Sequence, residues 1–366
     1  MDKISELKEI LGGFLKCNKA RLDCFTRMLL ALFAVRTVNL REIAVGFSSD
    51  AQIDSRYKRV KRFLAQFKVN QAVLAQWILS LFFSEEKKFY LTIDRTNWFW
   101  GKSKINILFV CIAYEGLAIP LRWILLNKAG NGTAKEHRHI LLNALSTVKK
   151  ERILGVLGDR EFASGFLFKW LNRQPIPFYI RIKENSIVKI KKKKLKKAKK
   201  LFSHLNSKES YFYGMAIWLF GAKVYLSGAR SERGELMIVA TNKDPRAAIP
   251  VYLRRWEIEN LFQGLKSRGF RFEETHVTHL ERIEQLIALL AVGFCWAHKV
   301  GEWRAVKKPI IFNKYRDSRR PQYSYFRYGL DFLRDIVLHF NRKKREFKDC
   351  VKQLVLPEFS LLETQT

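Results

Sequence analysis

Acidic residues are scarce in this sequence. Its 366 residues hold 34 Asp+Glu against 68 Lys+Arg, and only eleven of the acids are aspartates. The deficit leaves a formal charge of +34 and calls for a polyanionic partner, nucleic acid first and an anionic membrane surface second. Cysteine is scarce too. Cys17, Cys24, Cys111, Cys295 and Cys350 form no CxxC pair and keep no regular spacing, which excludes a disulfide framework and fits buried thiols in a reducing compartment. No secretory leader is recognisable, since residues 1–13 carry Asp2, Glu6 and Glu9 and no apolar stretch. The longest apolar run, residues 286–297, falls short of the ~20 residues that span a bilayer. A soluble cytoplasmic protein is expected. Internal repeats are lacking, and the one low-complexity stretch is residues 189–200, with nine lysines in twelve positions.

Apolar material is plentiful. The chain is 48% hydrophobic and 13% aromatic, which rules out a disordered basic tail and leaves enough to bury two or three domain cores. The basic surplus is distributed. Residues 1–88, 89–182, 183–245 and 246–366 carry +7, +8, +10 and +9, so a polyanion would touch several domains.

Residues 1–84 read as a helical DNA-binding domain. Leu22, Phe25, Leu29, Leu32 and Phe33 recur at helical spacing, Asn39 opens a second stretch, and residues 48–50 break it. A basic helix follows over 53–67 with Arg56, Lys58, Arg59, Lys61 and Arg62. Helix, short polar turn and basic helix are compatible with a helix-turn-helix module; a small bundle with a solvated basic face is the equal alternative. From residue 88 short β runs alternate with helices. Strands are expected over 89–94, 105–113, 117–126, 153–158 and 178–182, with a hairpin at Tyr114-Glu-Gly116 and helices over 136–148 and 162–171. This order describes an α/β fold with a mixed sheet. Residues 183–243 read as a β-rich insertion containing the lysine run, 244–300 return to helix, and 301–366 form a helical C-terminal region.

Two of the scarce acids, Asp94 and Asp159, end predicted strands, where α/β sheets place sites. A carboxylate buried there is costly unless paired or metal-bound, so the two suggest a Mg²⁺ or Mn²⁺ site. Turn and helix capping explains them equally well. The stretch 251–266 adds a third acid. At 100° per residue, Tyr252, Arg255, Glu259 and Lys266 fall within a stripe of about 60°, beside an apolar face of Ile258, Leu261, Phe262 and Leu265, with Trp256 on the flank. A simple i,i+4 pair accounts for Arg255 and Glu259 but not for Tyr252 or Trp256.

Tyr252-x2-Arg255-x3-Glu259-x6-Lys266 resembles the YREK signature of the transposases of the insertion sequence four family. Thr92-Ile-Asp94-Arg-Thr-Asn-Trp98 is similar to that family's first acid block, and Gly158-Asp159-Arg-Glu-Phe162 to its second. The gaps of 65 and 100 residues between Asp94, Asp159 and Glu259 match its habit of a β-rich insertion before the Glu. The resemblance covers roughly residues 35–300.

It implies a ribonuclease H-like catalytic core at 85–182 and 244–300 and a metal-binding catalytic triad of Asp94, Asp159 and Glu259. Two Mg²⁺ or Mn²⁺ ions would clamp the attacking and leaving oxygens of a phosphoryl displacement. It also implies DNA phosphate contacts from Tyr252, Arg255 and Lys266 and base stacking by Trp256 once a nucleotide is flipped out. Trp218, the insertion's only tryptophan, is a candidate second wall, with a core strand position as the stronger alternative. The partners implied are transposon inverted-repeat ends and target DNA, with two protomers pairing two ends as a homodimer. The reaction implied is metal-dependent cleavage through DNA hairpins, then joining of 3′ ends. Two alternatives stay open: a silent DNA-binding derivative, and a nuclease without strand transfer. His137-x-His139 and His276-x2-His279 lack metal-ligand company and read as helix or loop surface. Glu161, Arg95, Thr96 and Asn97 are neighbours that could assist the acids.

Overall fold

The computed structural model describes residues 4–190, 194–315 and 318–355. Lysines 191–193 of the basic run and residues 356–366 of the C-terminal region lie outside the described residues. The chain divides into two compact units, residues 1–85, 98–105 and 262–366 in one, 86–97 and 106–261 in the other. Each is taken by itself.

The first unit is helical. It opens with α1 (Ser5–Phe14), α2 (Lys19–Val35), α3 (Leu40–Val45), α4 (Ile53–Gln66) and α5 (Gln71–Phe82). Asparagines start three of these, with the side chains of Asn18, Asn39 and Asn70 accepting from the first-turn N–H groups of α2, α3 and α5.

The sheet of the second unit begins with β1 (Phe89–Trp100) and β2 (Ser103–Tyr114), whose hairpin tip, residues 98–105, belongs to the first unit; β3 (Leu117–Leu125), α6 (Ala134–Leu145), β4 (Ile153–Gly158), α7 (Gly165–Arg173) and β5 (Phe178–Ile182) follow in order. The expected hairpin at Tyr114-Glu-Gly116 is formed. Tyr114 pairs with Leu117, and Glu115 and Gly116 both take positive φ, 46° and 84°, as a two-residue turn matched to strand twist requires. Thr133 and Glu136 form a reciprocal capping box that starts α6.

Beyond β5 come β6 (Ile187–Lys189), β7 (Leu195–Lys197), β8 (Ser210–Leu219), β9 (Ala222–Arg230) and β10 (Leu236–Thr241), then α8 (Ala248–Leu253) and α9 (Glu257–Leu265), separated by a single 3-10 turn at Arg254–Trp256. The ten strands form one mixed sheet in the order β3-β2-β1-β4-β5-β10-β9-β8-β6-β7. β1, β4 and β5 are parallel, while β2–β3, β5–β10 and the pairs outward from β10 are antiparallel. The inner order 3-2-1-4-5 is the expected ribonuclease H-like arrangement. The strands of 183–243 extend this same sheet, because β10 returns antiparallel along β5. The described ends of the lysine run form the β6–β7 hairpin.

The first unit resumes with α10 (Leu280–Lys307), then β11 (Phe312–Tyr315), β12 (Ser318–Pro321), α11 (Tyr325–Leu338) and α12 (Lys344–Lys352). α10 is longer than its apolar run suggested. By length and composition it could cross a membrane, but 89% of its apolar window is buried inside the protein, as an all-round hydrophobic core helix must be. Phe33 packs edge-on to both Trp296 and Phe270. The segments expected as an N-terminal module (1–84) and a C-terminal region (301–366) both lie in this unit.

Candidate active site

Strand register brings two acids side by side. Thr92 pairs with Leu157 and Ile93 with Gly158 along the parallel β1–β4 ladder, so Asp94 and Asp159 are the next residues on two neighbouring strands. Asp94 remains in β1, while Asp159 ends the pairing and opens the 3-10 turn Arg160–Phe162. The third acid comes from α9. The preceding helix α8 is anchored by Tyr252, only 2% exposed and packed with Leu157, Tyr179, Val239 and Ala248. This anchoring directs the turn at 254–256 and the start of α9 toward the strand ends.

The group that ties the acids together is Arg255, 7% exposed. Its Nη1 donates to Asp94 Oδ2 at 2.9 Å and its Nη2 to Glu259 Oε1 at 2.6 Å. The Tyr252 hydroxyl donates to Asp159 Oδ1 at 3.5 Å, a weak bond. Arg255 Nε is buried with no acceptor. Burial pushes the Asp94 carboxyl up to about 6; Arg255 and the Arg95 N–H pull it down, and Asp159 and Glu259 push it further up. Burial works against the Arg255 charge, but Tyr252, Asp94 and Glu259 outweigh it and hold the guanidinium above its usual pKa.

Of the stripe read from sequence, Tyr252, Arg255 and Glu259 join this cluster and Lys266 does not. α9 ends at Leu265, where the N–H groups of Gly269 and Arg271 close back on the Lys266 carbonyl. Lys266 belongs to the first unit, where its Nζ meets Glu273 at 2.7 Å and lies 5.2 Å from the centre of the Trp98 ring. Trp256 stands out from the helix, 59% exposed. Trp218 is 52% exposed on β8, against the expectation of a core position, because its alternating neighbours Ile217 and Leu219 take the buried sites. On α4, Lys58 and Arg62 are exposed. Arg56 instead donates to the carbonyls of Ala51 and Phe47, and Arg59 to Asp23.

A second polar network lies beside the acids; it joins Arg95, Glu161 and Asn97, expected as neighbours of the acids, to Asn106 and Asn131, which no spacing announced. Arg95 donates through Nε to both oxygens of Glu161 at 3.1 and 3.2 Å, and to the side-chain oxygens of Asn97, Asn106 and Asn131, each at 3.1 Å. Glu161 also accepts from the Gly132 N–H at 2.9 Å. Gly132 has to be glycine here, because a Cβ would meet the His137 ring at 2.5 Å. His137 is therefore buried against Glu161 and Phe162, not on the surface as expected; His139 is exposed. Burial disfavours the Glu161 anion, but His137, Arg95 and the Gly132 N–H hold its carboxyl down at about 2.

Two cavities border Arg160. One, of about 870 Å³, is lined by Asp159, Glu161, Asn131 and Lys183. The other, of about 730 Å³, is lined by Arg181, Lys199, Lys200 and Arg230 together with Glu184 and Glu235. Arginines from β5, β9 and the 160 turn thus collect around this second cavity, although nothing in their spacing announces it.

Two acids stand at adjacent ends of parallel strands, and a third, on α9, is joined to one of them through Arg255; together they form one carboxylate cluster at the edge of a mixed sheet of ribonuclease H-like strand order. The model of the transposase DDE domain matches residues 90–296, more than half of the chain, and the chain belongs to that family. Among solved structures, the piggyBac transposase synaptic complex with hairpin DNA, determined by cryo-EM, is similar at 11% identity and a TM-score of 0.49, over 93% of this chain and 77% of that one. No curated protein matches the chain by sequence.

Proposed function

We propose that this transposase is a cut-and-paste enzyme of the hairpin-forming insertion sequence four type. It would bind the inverted-repeat ends of its element through residues 1–84, cut them with Asp94, Asp159 and Glu259, and join the 3′ ends to target DNA as a homodimer. The observation that carries this reading is the Arg255 bridge. Tyr252, Arg255 and Glu259, three members of a four-residue signature, meet both strand-end acids in one cluster.

The donor set fits hard divalent ions such as Mg²⁺ or Mn²⁺, since all three side chains offer carboxylate oxygens. Two of them already grip a cation, the Arg255 guanidinium. Among the described residues no three metal-type side chains form a ready cage, and Arg255 occupies the space between two of the acids. Two divalent ions held by the acids would supply an activated water and stabilise the departing 3′ oxygen. Arg255 is then the group that changes partners, from carboxylate to scissile phosphate, and a planar fork suits both. Tyr252, buried and fixed, is bonded only weakly to Asp159 and would turn its single O–H from that carboxylate to a neighbouring phosphate. Trp256 is exposed where an unstacked base could lie on it; Trp218 is a second such surface on the outer strands.

The test is a duplex bearing the element's end, incubated with Mg²⁺ and resolved on a denaturing gel. Hairpin products are expected. Nicks alone would mean a nuclease without strand transfer, and a gel shift without cleavage a silent binding protein.

A further inference from the structure

The first unit contains a cationic cavity that the three acids do not need. About 400 Å³ in volume, it lies between α3, α4 and the segment 276–282, and Arg41, Tyr57, Lys61, His276, His279 and Arg282 line it. No carboxylate lines it. Arg41 pairs with Asp54 outside the cavity. Among the described residues, no acidic partner meets Lys61, His276, His279 or Arg282. The Tyr57 ring lies between two of the cations, 5.9 Å from Arg41 Cζ and 5.4 Å from Lys61 Nζ.

The rim carries a second feature. Trp100, at the tip of the β1–β2 hairpin, stacks on His276 with ring centres 4.2 Å apart and planes 18° apart. Trp98, two residues earlier, packs edge-on to Phe272. These contacts fix the 272–279 segment against the hairpin tip. Phe99, Lys102 and Lys104 are left exposed beside it. Three stretches remote in sequence therefore converge on one basic surface with aromatic members. The His276-x2-His279 pair, which has no metal-ligand company, has a place in it.

We propose that this cavity is a seat for the DNA backbone, in which Lys61 and Arg282 each hold a phosphate and the Trp100–His276 stack keeps the loop in position. Uncompensated cations around an acid-free hollow suit phosphodiesters, and a site made of long cations and histidines reads charge more than base sequence. The inference rests on the proposed function in taking DNA as the ligand. It adds that residues 276–282 and the hairpin tip hold DNA together with α3 and α4.

Binding is measured by fluorescence anisotropy in a chelator, so that cleavage plays no part, on an element-end duplex and on an unrelated duplex of equal length, across a salt series. For Lys61→Gln/Arg282→Gln, the slope of log affinity against log salt is expected to fall by about 1.8, roughly 0.9 for each lost phosphate contact, on both duplexes. Lys61→Arg/Arg282→Lys should keep the full slope. If the glutamine pair melts early, single Arg282→Gln decides, with a loss of about 0.9 expected. An unchanged slope overturns the proposal, and so does a loss confined to the element-end duplex, which would mean base reading. Failure of the acids to cut DNA would show in the cleavage gel and leave this binding result standing.

Discussion

Arg95 and Arg255 lie in the same unit, both largely buried and both held by carboxylates, yet they are held differently. Arg95 uses its whole fork. Glu161 and three asparagines surround it, and Asn106 in turn donates to the carbonyls of Lys128 and Gly130. Arg255 makes two carboxylate bonds and leaves a buried Nε without an acceptor. A saturated arginine is a structural rivet. One that is charged but incompletely bonded, between two acids, is what the proposed exchange from carboxylate to phosphate would use.

The largest effect should come from the acids themselves. Asp94→Ala, Asp159→Ala and Glu259→Ala should each lower cleavage of an end duplex by about a thousandfold or more, whereas Glu161→Gln, measured at low temperature, should stay within about tenfold of wild type because its partner is the rivet. Equal losses would erase the distinction between the two arginines.

Next in size is stability. Breaking the Arg95 network with Arg95→Ala should cost about 3–5 kcal/mol in urea unfolding, as removal of one partner from a buried pair does. Arg255→Gln should cost less, since it also relieves an unmet donor. Mn²⁺ should then raise the melting temperature of the Arg255→Gln protein by about 2–4 °C more than that of wild type, equivalent to roughly 1 kcal/mol of extra binding. A wild-type shift as large as the variant's would show that Arg255 does not compete for the acids.

The two acids partnered by these arginines should also titrate in opposite senses. The Glu161 carboxyl is lowered from 4.5 to about 2, so its contribution is complete above pH 4.5 and fades as pH falls toward 2. Asp94 is raised from 3.8 to about 6, so its ionisation opposes folding above pH 6 and is without cost below pH 4. Unfolding across pH 3–8 should therefore find Asp94→Asn more stable than wild type above pH 6, the gain vanishing on acidification. Glu161→Gln should be less stable, its deficit shrinking toward pH 2. The smallest effect is the most specific. Trp256→Ala should slow hairpin formation about tenfold, in line with the loss of ~1–3 kcal/mol of base stacking, and leave first-strand nicking nearly unchanged.

How far these sites could be read in advance follows from the distances in chain that each requires. Asp94 and Asp159 were legible because a strand end is a local pattern, and Tyr252, Arg255 and Glu259 because helix periodicity is local too. Lys266 follows directly on the end of α9, and its ion pair with Glu273 joins it to a segment that helix arithmetic does not reach. The fold class was legible from strand–helix alternation. The continuation of the sheet through β10 was not, because antiparallel pairing with β5 depends on a return of more than fifty residues. The Arg95 network as a whole was out of reach for the same reason. It joins residues 95, 106, 131 and 161, and nothing in their spacing announces a common partner. The burial of His137 depended on Gly132 leaving room for its ring.

The place of β7 at the end of the ten-strand sheet gives its lysines a use apart from DNA. An open strand edge is a template on which another chain can add, and such edges lead to fibrous aggregation unless they are guarded. Lys196 and Lys197 lie within this edge strand, and Lys194 and Lys199 flank it. Mutual repulsion would keep two such edges apart in dilute buffer and weaken as salt screens it. On that account the stretch would guard the edge, and replacing its lysines with neutral residues should make concentrated protein precipitate before it alters any cut.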